Sequence, residues 1–148
     1  MTTNRRTFVM AMGAVGLAPL FATHATEDEA LAAMKALMGT VAPRAGKVTL
    51  ELPPLVENGN LVAIKVSVDS PMTAADHVKA IHLIAEGNPQ PNIVSFFLGA
   101  RAGRADIGTR IRLANSQRVW AIAQMSDGTF WSGHADTLVT LAACTEVI

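Results

Sequence analysis

Cys144 is the single cysteine among 148 residues and stands fifth from the C-terminal end, in Cys144-Thr145-Glu146-Val147-Ile148. A lone cysteine has no internal disulfide partner, so its thiol stays free, pairs with another molecule or takes a modification. As a thiolate it attacks or accepts sulfur and holds it as a persulfide or thiosulfonate. An unperturbed thiol has a pKa of about 8.5, so little of it is ionised at neutral pH. No basic residue adjoins Cys144, and Glu146 opposes ionisation. Activation therefore falls to a partner. Spacing alone leaves two readings level, while position and an export signal weigh toward the first. One is an adduct-bearing thiol on a tail beyond the last strand. The other is a small, half-buried cysteine packed at a strand end.

Little else in the chain is arranged for chemistry. The histidines are scattered, and no Cys-His cluster has zinc-ligand spacing. There is no phosphate-cradling glycine loop, no Gly-x-Ser-x-Gly elbow and no His-Glu-x-x-His. No base or oxyanion donor can be assigned beside Cys144, which argues against an autonomous enzyme. His77 and His82 read as surface or packing residues rather than metal ligands. Arg101, Arg104, Arg110 and Arg112 read as a solvated edge strand rather than a path for anions. Asp69 and Ser70, before Pro71, read as turn formers. The expected inventory is thus no catalytic residue, no metal and no cofactor.

The elements that must position the cysteine follow from the periodicity. Thr26 can cap a helix, with Glu29 three residues on. Leu31, Met34, Leu37 and Met38 then share one helical face, and Gly39 and Pro43 end it. From Lys47 the period becomes two. Seven runs follow, at 48–52, 61–68, 78–85, 93–98, 107–113, 118–125 and 136–141. Turns join them: Glu57-Asn58-Gly59-Asn60, the loop 86–91, and Ser126-Asp127-Gly128-Thr129. No helical stretch separates the strands, so the pattern predicts an all-β, immunoglobulin-like antiparallel β-sandwich with a short N-terminal helix. Trp120 is expected in its core. The 93–98 run is apolar enough to face the core or a partner.

The N-terminus predicts an address. Asn4-Arg5-Arg6-Thr7-Phe8 heads an uncharged apolar stretch that ends in the small-residue site Thr23-His24-Ala25. This is the order of a secretory signal, and the paired arginines mark the twin-arginine route to the periplasm. The apolar stretch is short for a membrane span, which needs ~20 residues. Cleavage near Thr26 would leave 10 Lys+Arg against 12 Asp+Glu, a balance that argues against nucleic-acid binding. The expected organisation is a signal peptide over 1–25, helix and linker over 26–46, one sandwich domain over 47–141 and a C-terminal arm over 142–148.

Several segments together carry a family likeness. They are Glu57-Asn58-Gly59-Asn60, Val66-Ser67-Val68-Asp69-Ser70-Pro71-Met72-Thr73 and Thr109-Arg110-Ile111-Arg112-Leu113-Ala114. Met125 to Gly133 and Val139-Thr140-Leu141-Ala142-Ala143-Cys144 complete the set. In these the chain resembles SoxY, the sulfur-carrier subunit of periplasmic thiosulfate-oxidising (Sox) systems. The resemblance implies an immunoglobulin-like fold and a heterodimer with a SoxZ-type subunit. It also implies sulfur intermediates attached to Cys144 on an arm that includes Ala142 and Ala143, with other Sox enzymes acting on them transiently. The alternative is a non-carrier binding or assembly module of the same fold, with Cys144 structural or dimer-forming. One departure falls at the tip. The family's arm reads Gly-Gly-Cys-Gly-Gly, whereas here Ala142 and Ala143 precede the cysteine and Thr145 to Ile148 follow it. Alanine is stiffer than glycine, and β-branched residues favour extended backbone. The resemblance then implies partners that accept a larger tip, or a specialised paralogue, rather than loss of the role.

Overall fold

The computed structural model describes residues 27–143, so the signal peptide, the Thr26 cap and Cys144 itself lie outside the described residues. Helix α1 spans Glu27–Met38. Glu27, Asp28 and Glu29 set negative charge against the positive end of the helix dipole. Gly39 ends the helix in the left-handed region (φ 62°), returning its N–H to the Lys35 carbonyl at 2.8 Å. The buried face is Ala30, Met34 and Met38, four residues apart, while Leu31 is 54% exposed. This corrects the predicted face. The buried stripe is centred on Met34, with Leu31 about 60° round the helix from that centre, and the small Ala30 gave no apolar signal.

Nine strands follow: β1 (Arg44–Ala45), β2 (Val48–Glu51), β3 (Leu55–Val56), β4 (Val62–Val68), β5 (Val78–Ala85), β6 (Asn92–Phe97), β7 (Ala105–Ile111), β8 (Gln117–Met125) and β9 (Phe130–Val139). They form two sheets, one in the order β1-β9-β8-β5-β6 with β3 also on β9, the other β2-β4-β7. The long ladders are antiparallel, and only the two-residue β1 and β3 pair parallel, both with β9. This is the predicted all-β, immunoglobulin-like sandwich with a short helix.

Alternation decides which residues meet between the sheets. Val62, Ile64, Val66 and Val68 of β4 all point inward, toward Ile81 and Leu83 of β5 and Val119, Ala121 and Ala123 of β8. The opposite face of the larger sheet would be open but for α1, whose Ala30, Met34 and Met38 cover Ile84, Ile122 and Phe130. Trp120 belongs to this second layer, contrary to the expectation that it fills the sandwich interior. Its ring is half-buried beside α1, with its Nε1–H donated to Glu86 Oε1 at 2.7 Å and His134 stacked 4.6 Å away. Trp131 faces the other way, against the core, with Lys47 Nζ 5.0 Å and Arg44 5.8 Å from its ring.

The last strand starts six residues earlier than predicted, directly after the 126–129 turn. In that turn Gly128 takes φ 85° and Asp127 Oδ1 accepts from the Thr129 N–H at 2.9 Å. Gly133 is required by packing: a Cβ there would lie 2.6 Å from the Val48 carbonyl oxygen. The predicted turn over 57–60 forms, with Asn58 Oδ1 accepting from the Asn60 N–H at 3.0 Å. It joins no hairpin, however. The chain before it, β3, lies on β9, and the chain after it, β4, belongs to the other sheet.

Candidate functional site

The segment leading to Cys144 is held by backbone, residue after residue. Beyond Asp136, the chain runs beside 53–59. Thr137 is buried and donates its hydroxyl to the Pro53 carbonyl at 2.7 Å. The Leu138 N–H bonds to Pro54 O at 2.9 Å, and the Thr140 N–H to Val56 O at 3.0 Å. The Thr140 hydroxyl reaches Glu57 O at 3.0 Å, and the Gly59 N–H bonds to Leu141 O at 2.7 Å. On the other side Ser116 Oγ accepts from the Val139 N–H at 2.9 Å.

Leu113 closes the set. Its side chain is fully buried in the core. Its N–H bonds to Gly59 O at 2.9 Å, and its carbonyl accepts from the Ala143 N–H at 3.0 Å. Gly59 permits this meeting because it has no side chain. A Cβ there would press into the Leu113 carbonyl and sit 3.0 Å from both the Ala143 nitrogen and Val139 Cγ1. Leu113 is itself clamped by the buried Asn88. Its Nδ2 donates to Arg112 O at 2.9 Å, and its Oδ1 accepts from the Ala114 N–H at 2.9 Å and from Gln117 Nε2 at 3.0 Å. Asn88 thus bonds the backbone on both flanks of the residue that holds Ala143.

The sequence-designated site residues fall as follows. Ala142 is exposed, Ala143 is buried, and Cys144 lies outside the described residues. Gly59, Asn88 and Leu113 were not singled out as a site by sequence, although Gly59 and Leu113 lie in the family-like segments. Their common signal is weak, because two of the three act through backbone atoms.

The remaining candidates have structural work. His82 is buried beside Ser95 Oγ at 2.7 Å, and burial pushes its pKa below the usual 6.5. His77 Nδ1 lies 3.0 Å from the Thr73 carbonyl. Arg101, Arg104, Arg110 and Arg112 are all exposed, and β7 is the outer strand of its sheet, as predicted. Met72 N–H donates to Ser70 Oγ at 3.2 Å in the turn after β4. An open cleft of about 520 Å³ is lined by Glu27, Glu86, Arg118 and Asp136. Its charges answer one another: Arg118 Nε lies 2.8 Å from Asp136 Oδ1, and this bond holds the Asp136 carboxyl below its ordinary range. Among the described residues no group of three or more His, Cys, Asp or Glu side chains is placed to hold a metal. Among them, too, no helix is long and apolar enough to cross a membrane.

The final described segment of this immunoglobulin-like sandwich is thus pinned up to Ala143, the residue before Cys144. The profile of "Sulfur oxidation protein SoxY" matches residues 34–144, ending on that cysteine. The chain belongs to the SoxY family. No curated protein matches it. Among solved structures it is similar to the sulfur carrier protein SoxY from Chlorobium limicola f thiosulfatophilum, with a TM-score of 0.65 and 20% identity over 78% of this chain and 100% of that one. It is also similar to the superoxide reductase (neelaredoxin) from Ignicoccus hospitalis (TM-score 0.56, 21% identity, 64% and 80% covered). The superoxide reductase from Nanoarchaeum equitans is a third (0.54, 14%, 64% and 99%). At these identities the likenesses show the fold.

Proposed function

We propose that this chain is a covalent sulfur carrier in periplasmic thiosulfate oxidation. Cys144 holds the sulfur intermediates, and partner enzymes carry out every chemical step, so the chain has no turnover of its own. It works as a heterodimer with a SoxZ-type subunit and needs no resident cofactor. The observation that carries this reading is that the family match runs to Cys144 itself, while the fold fixes Ala143 immediately before it. A thiol one residue beyond a fixed point can be offered to several enzymes in turn.

Intact-mass analysis of the chain purified with its SoxZ-type partner tests the proposal. After exposure to thiosulfate and the partner enzymes, Cys144 should carry sulfur adducts that a reductant releases. A Cys144→Ser chain that still supported thiosulfate oxidation would overturn it in favour of a non-carrier module. Export is tested separately. Replacing Arg5-Arg6 with two lysines should leave the chain and its signal-less partner in the cytoplasm. Periplasmic appearance of the variant chain would refute the twin-arginine route.

A further inference from the structure

The turn that meets the C-terminal segment holds a reactive dipeptide. In Asn58-Gly59 the asparagine amide carbon stands next to a main-chain nitrogen that no side chain shields. Such a nitrogen can attack the amide and close a succinimide ring, and asparagine before glycine is where this happens most readily. Asn58 is exposed, so water reaches it.

Named bonds govern both halves of the reaction. Asn58 Oδ1 accepts from the Asn60 N–H at 3.0 Å and from Asn60 Nδ2 at 3.1 Å. Attack on the amide carbon places negative charge on this oxygen, and two donors already aimed at it stabilise that charge. The electrophile is thus armed, while the nucleophile is held. The Gly59 N–H is donated to Leu141 O at 2.7 Å, and the Gly59 carbonyl accepts from the Leu113 N–H at 2.9 Å. A nitrogen fixed in this way cannot turn onto the neighbouring side chain.

We propose that Asn58-Gly59 is a self-modification site, armed by Asn60 and latched by Leu141, and that release of the segment ending at Ala143 starts its conversion to aspartate and isoaspartate. The Gly59 nitrogen bonds to Asn58 Cγ, the Cγ–Nδ2 bond breaks, and ammonia leaves with the Gly59 amide proton. Water then opens the ring at either carbonyl, and nothing is oxidised or reduced. Isoaspartate routes the main chain through the side-chain carbon and so adds one atom to the backbone before Gly59. The slot has no room for the shift. A Cβ on Gly59 would already press into the Leu113 carbonyl and lie 3.0 Å from the Ala143 nitrogen. Conversion to isoaspartate therefore makes a released segment permanently released. This inference does not depend on the carrier reading.

Peptide mapping of the full chain during incubation at neutral pH tests this, with isoaspartate at position 58 quantified by mass spectrometry. Ser116→Ala and Thr140→Val each remove one tie of the segment, at Val139 and at Glu57, and leave the reacting atoms alone. Both side chains are exposed, so the double variant should fold. It should form isoaspartate about fivefold faster than the parent, or more, because opening of the segment becomes more frequent. Adding Asn60→Ala should slow the double variant severalfold, since one donor to Oδ1 is gone. Equal rates in the parent and the double variant overturn the latch. So does a folded parent that reacts as fast as the same chain unfolded in urea, a comparison that needs no variant. A rate untouched by Asn60→Ala overturns the arming. Hydrogen exchange then reads the consequence. The isoaspartate form should lose protection at the Ala143 amide, whereas Asn58→Asp, with an ordinary main chain, should keep it. Protection retained in the isoaspartate form overturns the permanent release.

Discussion

Ala143 donates its backbone N–H to the carbonyl of Leu113 at 3.0 Å, and this bond ties the residue before Cys144 to the body of the sandwich. Leu113 is a core residue, so the tie ends in the most rigid part of the molecule. The C-terminal segment is therefore anchored at Ala143, and the anchor makes specific demands on residues far away in sequence.

The first demand falls on Gly59. Any Cβ at this position collides with the Leu113 carbonyl and crowds the Ala143 nitrogen. Gly59→Ala should cost about 1–3 kcal/mol, the usual penalty of overpacking. Hydrogen exchange should show the Ala143 and Leu113 amides losing protection while β5 and β8 keep theirs. Unchanged protection at Ala143 would mean that Gly59 does not control the anchor.

Asn88 makes the second demand. Asn88→Ala removes a buried side chain that bonds Arg112 O, the Ala114 N–H and Gln117. Leaving these groups unpaired should cost about 2–3 kcal/mol, read as a lower urea midpoint. Asn88→Asp keeps the acceptor but sets a buried carboxylate oxygen against the Arg112 carbonyl, so its loss at neutral pH should be at least as large. Exchange at Ala143 should quicken in both.

The helix gives a contrast between neighbours. Met34 is buried against Ile84, Ile122 and Phe130, whereas Leu31 faces solvent. Met34→Ala should destabilise by about 2 kcal/mol or more. Leu31→Ala should stay within about 0.5 kcal/mol of the parent. Equal losses would place the helix in a different rotation.

His82 should make stability depend on pH. Its pKa is lowered by burial in the fold, so the unfolded chain takes up its proton first. Stability is then full above about pH 6.5 and falls as the pH drops through the lowered folded value. Urea midpoints at pH 7.5 and 5.5 should differ, and His82→Gln should flatten the difference. A larger midpoint at the lower pH would reverse the sign and remove His82 as the cause.

Much of this fold is legible in the sequence because its signals are local. Val62, Ile64, Val66 and Val68 alternate in the sequence and are all buried in the core. Gly39 and the 126–129 turn stop their elements where their backbone needs say they should. The start of β9 was hidden because polar Ser132 and His134 share its face with Phe130, and Gly133 breaks the alternation for a contact with β2. The two-residue strands β1 and β3 are too short to show any period. The anchor was the least legible part. Its bonds run between main-chain atoms, and Ala142-Ala143 looks the same whether it is docked or not. Only a missing side chain, at Gly59, records that something must come close.

The anchor also joins segments far apart in the chain. Thr140 meets Glu57 across 83 residues of chain, and Ala143 needs Leu113 and Gly59 both in place. None of these contacts is local, so each closes a long stretch of chain. A pinned Ala143 is thus a certificate that Gly59 and Leu113, distant in the chain, have come together.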